Sequence, residues 1–251
     1  MGLLNAAFEK LPPALRLRII AAQQPLREPE IRICKEALGP GSVAVDVGAW
    51  WGAWSSHMAR HADRVITLEP IPYVVEALRS SLPDNVEVRE VAASDVTGRA
   101  TLWLPAAGVG AEGRSSLTSP TPESNPIDVA TTRIDDLDLD QVDLLKIDVE
   151  GHEMAVFDGA RATIERHRPV LVIELEQRFH DQPLAACFAE IESLGYTGSY
   201  LDGDDWLPTS EFDVVRWQEE HQDAAGNQGF IASIMLHKKY KNNFVFRPLL
   251  A

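Results

Sequence analysis

The chain has 251 residues, 45% of them hydrophobic, and its 38 acidic against 23 basic residues give a formal charge of −15. That length and apolar content can bury a full core, while the acidic balance excludes nucleic-acid phosphates and anionic membranes as the main partner, since both need a basic footprint. The two cysteines, Cys34 and Cys187, lie far apart without C-x-x-C spacing, which argues against a disulfide framework or a thiolate zinc site.

Residues 1–40 read as an N-terminal helical extension. Its apolar positions Leu15, Ile19 and Ile20, then Ile31, Cys34 and Leu38, recur at helical spacing and stop at Gly39-Pro40. The first residues lack the basic-then-apolar layout of a secretory signal, and no apolar run approaches the ~20 residues of a membrane span. A cytoplasmic protein without a membrane span is therefore expected.

The main domain is expected over residues 41–251. Apolar β-like runs at 43–47, 65–69 and 86–91 alternate with helix-like segments at about 53–60 and 73–82, the signature of βαβ crossovers in a parallel sheet. Residues 98–140 break that rhythm with a loop and β excursion. Alternation resumes with a strand at 142–149, a helix at about 153–166, a strand at 170–175, a helix at about 184–194 and a strand at 196–201. The acidic stretch 202–229 is expected to be a solvated helical insertion, opened by a capping arrangement of Ser210 with Asp213, with a lid or interface as the alternative. Residues 231–236 are the last β candidate.

Two strands end in acids where an α/β sheet places its ligand crevice. The first runs Val43-Ala44-Val45-Asp46-Val47 into Gly48-Ala49-Trp50-Trp51-Gly52. Its glycines are spaced G-x-x-x-G, so it is neither a dinucleotide fingerprint nor a phosphate loop, and Asp46 would repel a pyrophosphate. Glu69, ending the next strand before Pro70, stands where a carboxylate accepts the hydroxyls of an adenosine ribose. Ser94 and Asp95, after Ala92 and Ala93, offer small residues for a flat base and an acid for an exocyclic amine. The ensemble describes adenosine without phosphates beside negative charge, which suits S-adenosylmethionine better than NAD.

The second acid-tipped strand is Lys146-Ile147-Asp148-Val149-Glu150-Gly151-His152-Glu153. Lys146 and Asp148, two apart, share a strand face, as Glu150 would if extension persists. Glu174 ends the neighbouring strand at the same sheet edge. Asp148 is the first choice as base or acceptor-positioning group, with Glu150, His152 and Glu174 as alternates; a structural ion-pair network around Lys146 is the competing account. A divalent cation on Asp148, Glu150 and Glu174 is less favoured, and no metal site is assigned. His57 and His61, four apart, lack the glutamate of H-E-x-x-H and are read as surface histidines. Ser115 and Ser116 read as loop residues, with a place at the acceptor mouth as the alternative.

In order along the chain, Val45-Asp46-Val47-Gly48-Ala49, Leu68-Glu69-Pro70, Ser115-Ser116-Leu117, Thr132-Arg133-Ile134-Asp135-Asp136-Leu137, the Lys146-to-Glu153 run, Gly159-Ala160, Arg168-Pro169 through Glu174, and Gly195-Tyr196 resemble the FkbM-type S-adenosylmethionine-dependent methyltransferases. The likeness covers about residues 40–201, with Asn243-Phe244-Val245-Phe246 as a family-like ending. It implies a class I methyltransferase fold, Rossmann-like, with a seven-stranded mainly parallel sheet whose last strand, taken as 231–236, is antiparallel. The family commonly carries Asn where this chain has Trp50, so an amide hydrogen bond has no counterpart there, and the indoles either wall the pocket or pack outside it.

The resemblance implies O-methylation of a hydroxyl on a small-molecule or glycan-like acceptor. Asp46, Gly48, Ala49, Trp50, Gly52, Glu69, Pro70, Ser94, Asp95, Lys146 and Asp148 form the expected cofactor set. An NAD-dependent oxidoreductase and a non-catalytic adenosine-binding scaffold are the alternatives. Oligomeric state is left open, with Trp206 and Trp217 as anchors for a partner surface such as a dimer.

Overall fold

The protein is described by a computed structural model over residues 11–105, 115–118, 124–221 and 240–249. Helix α1 (Pro13–Arg27) starts with proline in its first turn, where the missing N–H is not needed, and leads through a 3-10 turn at Pro29–Arg32 into α2 (Ile33–Ala37). The β/α series follows: β1 (Val43–Val47), α3 (Ala53–Met58), β2 (Arg64–Leu68), α4 (Pro72–Arg79) and β3 (Val86–Arg89). Then come β4 (Ala92–Ala93), β5 (Gly98–Leu104), β6 (Asn125–Thr132), β7 (Leu144–Ile147), α5 (Glu153–Gly159), α6 (Arg161–His167), β8 (Val170–Glu174) and α7 (Leu184–Ser193). Strands β9 (Tyr196–Asp202) and β10 (Asp205–Pro208), the short helix α8 (Val214–Trp217) and β11 (Asn243–Pro248) complete the described elements.

The main sheet has the strand order β10-β9-β11-β8-β7-β1-β2-β3. Strands β3, β2, β1, β7 and β8 are parallel, and β11 is antiparallel to both β8 and β9. Connections from β1 run outward to β2 on one side, while β7 lies on the other, so the gap between β1 and β7 is the topological switch point where such sheets bind ligands.

Period-two alternation sends side chains to two cores. Val45, Val47, Ile66, Leu145, Ile147, Leu171 and Ile173 pack against Val156, Phe157, Ile164 and Phe188 of the helices on one face. Ala44, Val65, Leu144, Val172 and Val245 pack against Ile33, Trp54 and Met58 on the other. Full burial of each larger aliphatic side chain is worth roughly 1.5–3 kcal/mol, which is why these strands read as continuous apolar runs. Asp46 and Lys146 share the parity of Ala44 and Leu144, so both point into the second of these faces.

Several elements differ from the sequence expectation. The sheet has eight strands because β9 folds back through Gly203, at φ +62, into β10. A hairpin thus opens the stretch expected to be a helical insertion, and Asp213, not Ser210, caps α8 by accepting from the Arg216 N–H. The antiparallel strand beside β8 is Asn243–Pro248; residues 231–236, 222–229 and part of 98–140 lie outside the described residues. The third strand, expected over 86–91, ends at Arg89, and Ala92–Ala93 beyond it form β4 of a separate sheet of order β4-β6-β5. The helix expected over 153–166 breaks at Gly159, where a Cβ would stand 2.0 Å from the Ser94 carbonyl oxygen. Extension stops at Ile147, since Glu150 turns to φ +50, so Glu150 does not continue the face of Lys146 and Asp148. Cys34 and Cys187 are free and buried.

Candidate active site

At the switch point the exits of β1 and β7 touch. The Asp148 N–H donates to Val47 O at 3.1 Å, and a Cβ on Gly48, at φ +76, would fall 1.7 Å from the Asp148 carbonyl oxygen. Only glycine fits there. The turn closes with the Gly52 N–H donating to Ala49 O at 2.7 Å, and Gly52, at φ +75, caps α3. Trp50 also has positive φ, at +48. Its ring packs on the cluster of Ile20, Trp51, Ala53 and Ala77 beneath α1, and its buried Nε1 has no hydrogen-bond partner.

Asp46, 1% exposed, accepts from Ser55 Oγ at 2.5 Å, and Ser55 is 2.8 Å from Thr67 Oγ1. Burial pushes its carboxyl up to about 6 despite the serine bond and Lys146. Asp46 is therefore part of the floor under α3. Glu69, 4% exposed, accepts from the Trp50 N–H at 3.0 Å and the Ile71 N–H at 2.9 Å. It thereby ties the glycine turn to the Pro70 segment that begins α4. On the far side, Ser94 Oγ lies 2.9 Å from His152 Nε2 and 3.0 Å from Asp95 Oδ1. Burial lowers the His152 pKa, Asp95 opposing. His152 thus joins the Ser94–Asp95 edge.

The acidic centre surrounds Lys146, which is fully buried. Its Nζ is 3.1 Å from Asp148 Oδ2 and 5.4 Å from the Trp54 ring centroid. Burial works against its charge, but Asp148, Glu174 and Glu28 outweigh that and raise its pKa. Burial raises Asp148, with Lys146 pulling it back and a hydrogen bond from Glu174 favouring its ionised form. Glu174 is raised well above the usual range, first by burial and then by Asp148. Glu150 is raised likewise by burial, then by Asp148 and Glu176, with Arg178 opposing from 3.9 Å. Both carboxyls are thus raised, Glu174 the further, and the hydrogen bond between them favours the ionised form of Asp148.

Several contributors carried no role in the sequence reading. Trp54 Nε1 donates to Glu28 at 2.6 Å, so the end of α1 reaches the centre. Asn242 Nδ2 donates to Glu174 at 2.6 Å, and Tyr240 OH and Arg178 Nε both meet Glu176 Oε2, at 2.5 and 2.6 Å. Adjacent amides just before the apolar Phe244-Val245-Phe246 were the one available signal for Asn242. His57 is half-buried, its Nε2 2.7 Å from Ala21 O, which departs from the surface placement expected. Among the described residues no three His, Cys, Asp or Glu side chains converge as a metal-holding group, and no helix is long and apolar enough to cross a membrane. A cavity of about 420 Å³ lies elsewhere, between α1 and α4, lined by Arg16, Trp51, Tyr73 and Glu76 among others.

The profile of the methyltransferase FkbM domain matches residues 46–198, more than half of the chain. A solved FkbM methyltransferase from Methylobacillus flagellatus superposes with a TM-score of 0.51 at 17% identity, covering 82% of this chain and 43% of that one. The likeness shows a shared fold, and the chain spans less than half the length of that relative. A precorrin 8W decarboxylase from Methanobacterium thermoautotrophicum gives a TM-score of 0.43 at 12% identity over 89% of each chain. A precorrin-6y C5,15-methyltransferase from Geobacter metallireducens gives 0.38 at 17% identity over 68% of this chain and 73% of that one. No curated protein sequence matches the chain. With the glycine turn, Glu69 and the Lys146-to-Glu153 run inside the matched span, the chain belongs to the FkbM methyltransferase domain family.

Proposed function

We propose that the protein is an S-adenosylmethionine-dependent O-methyltransferase acting on a hydroxyl of a small-molecule or sugar-containing acceptor. The observation that carries it is the chemistry of the switch-point edge: carboxylates of Glu69, Asp148, Glu150 and Glu174 stand at the ends of β2, β7 and β8. That donor set fits a sulfonium-bearing nucleoside and disfavours a pyrophosphate. Glu69 would hold the ribose, Ser94 and Asp95 the adenine, and the Gly48–Gly52 turn the amino-acid end. When bound, the cofactor supplies an electrophilic methyl group.

Asp148 is the base in this reading. Lys146 and the hydrogen bond from Glu174 favour its ionised form, while burial raises its pKa from the ordinary aspartate value, the direction a base for a hydroxyl needs. Glu174 and Glu150, whose carboxyls burial pushes well above the usual range, position the acceptor hydroxyl. His152, engaged by Ser94, serves the base-binding edge. The acceptor would meet the 98–140 excursion and the 202–229 stretch; Trp217 is buried in the core beside Tyr200 and cannot anchor a partner, which leaves half-buried Trp206, between Arg32 and Arg247, as the one anchor kept for a dimer surface.

Calorimetry with S-adenosylmethionine, S-adenosylhomocysteine and NAD tests the cofactor, with binding of the first two and none of the third expected. A screen of hydroxylated acceptors for methyl transfer then tests the reaction, and Asp148→Asn should keep cofactor binding and lose turnover. Uptake of NAD alone would favour an oxidoreductase, and uptake of the methyl donor without transfer to any hydroxyl would favour a scaffold.

A further inference from the structure

The turn that carries Asp148 and Glu150 has a backbone shape that L-residues avoid. Glu150 sits at φ +50 and Gly151 at φ +94. A side chain in the left-handed region persists only where its surroundings impose it. Those surroundings act on both kinds of backbone group. Glu153, 2% exposed, reaches back from the start of α5: its Oε1 accepts from the Val149 N–H at 3.2 Å and the Gly151 N–H at 2.9 Å, and its Oε2 accepts from Gly151 at 3.1 Å.

The carbonyls are held from the opposite side. Ser116 Oγ donates to Glu150 O at 2.7 Å, and Thr118 Oγ1 to Gly151 O at 3.4 Å. Ser116 is itself 3% exposed and is fixed by a reciprocal backbone bridge to Trp103 of β5. Phe179 closes the third side, since a Cβ on Gly151 would lie 3.1 Å from its Cβ. A carboxyl as buried as Glu153 is costly unless its partners are worth more, and here those partners are turn N–H groups, with His180 Nε2 at 3.8 Å.

We propose that Glu153 and Ser116 are positioning residues that together impose the left-handed Glu150–Gly151 turn and so fix where the Asp148 and Glu150 carboxylates stand. The inference rests on the methyltransferase reading for its catalytic consequence. It also means that Ser116 and Thr118, within the 98–140 excursion proposed to meet the acceptor, are hydrogen-bonded directly to the turn that bears the proposed base.

Amide hydrogen exchange on the ligand-free protein tests the clamp. Glu153→Ala should speed exchange at Gly151 by about tenfold, with β1 and β8 unchanged, and Ser116→Ala by about threefold. Glu153→Gln keeps the Oε1 acceptor that both N–H groups share and should recover most of the protection. The double alanine variant should fall short of the product of the singles, because both act on one turn. In turnover, Glu153→Ala should lower kcat by about tenfold with KM for S-adenosylmethionine little changed, and Glu153→Gln should restore it. Unchanged exchange at Gly151, a uniform loss of protection across the fold, or no recovery with glutamine would overturn the proposal. Wild-type protein that takes up neither S-adenosylmethionine nor S-adenosylhomocysteine defeats the methyltransferase reading instead, and the exchange result still decides the clamp.

Discussion

Lys146 Nζ stands 3.1 Å from Asp148 Oδ2, yet the lysine side chain is 1% exposed and the aspartate 28%. The lysine is thus a fixed internal charge and the aspartate its only partly covered counterpart. Replacing Lys146 with methionine leaves Asp148, Glu174 and Glu28 without the cation they surround. Breaking a buried pair in this way costs about 3–5 kcal/mol while the remaining partner stays charged. The carboxyls escape by taking up protons, so their folded pKa values rise, and the penalty shrinks as pH falls through those raised values and is gone below their unfolded pKa. Urea unfolding of Lys146→Met should show a larger deficit at pH 8 than at pH 5. A deficit independent of pH would mean that the lysine contributes packing and no charge compensation.

Gly48 makes a sharper test, because the obstacle to a side chain is backbone. The alanine Cβ would meet the Asp148 carbonyl at 1.7 Å, at a φ of +76 that alanine also disfavours. Neither strand exit can move without breaking the Asp148-to-Val47 hydrogen bond. Gly48→Ala should lose more than about 3 kcal/mol or fail to fold, whereas Gly39→Ala, with nothing within 4 Å, should stay within about 0.5 kcal/mol. Comparable stability of the two variants in denaturant titration would refute the close contact of the β1 and β7 exits.

What the chain discloses in advance depends on how local the cause is. Runs such as Val43–Val47 and Val170–Glu174 announce themselves because burial on both faces demands continuous apolar residues. The acids at their tips are visible for the same reason, since charge at the end of such a run needs a use. The break of the expected helix at Gly159 is invisible, because its cause is Ser94, far away in sequence and pressed against it. Glu28 is equally hidden: nothing in its neighbours says that Trp54 will draw it to Lys146. The left-handed Glu150 was missed because a residue other than glycine gave no sign of a turn, while the following Gly151 did.

Glu69 links the cofactor edge to the fold, and the two roles separate by substitution. Its carboxylate accepts two backbone N–H groups, from Trp50 and Ile71. Glutamine keeps one acceptor oxygen, so one buried N–H loses its partner, at a cost of about 1–3 kcal/mol. Glu69→Gln should therefore destabilise by that amount and weaken S-adenosylhomocysteine binding by about tenfold, as one ribose acceptor is lost. Calorimetry that finds unaltered affinity beside lowered stability would leave Glu69 a purely structural tie.

Glu30 sets a pH dependence of opposite sense to that of a salt-bridged acid. It is 6% exposed, and burial, helped by Glu28 and opposed by a backbone hydrogen bond and by Lys241 and Lys146, pushes its carboxyl up to about 7. Unfolded glutamate titrates near 4.3, so the folded state binds this proton more tightly. The resulting stabilisation is complete below about pH 4 and is lost as pH rises through about 7, a span worth about 4 kcal/mol. Glu153, also raised to about 7, and Asp46, raised to about 6, act in the same direction. Stability should fall between pH 5 and pH 8, and Glu30→Gln, neutral throughout, should flatten that fall and overtake the wild type at the alkaline end. Parallel curves for the two proteins across this range would show that Glu30 ionises in the folded state as freely as in water.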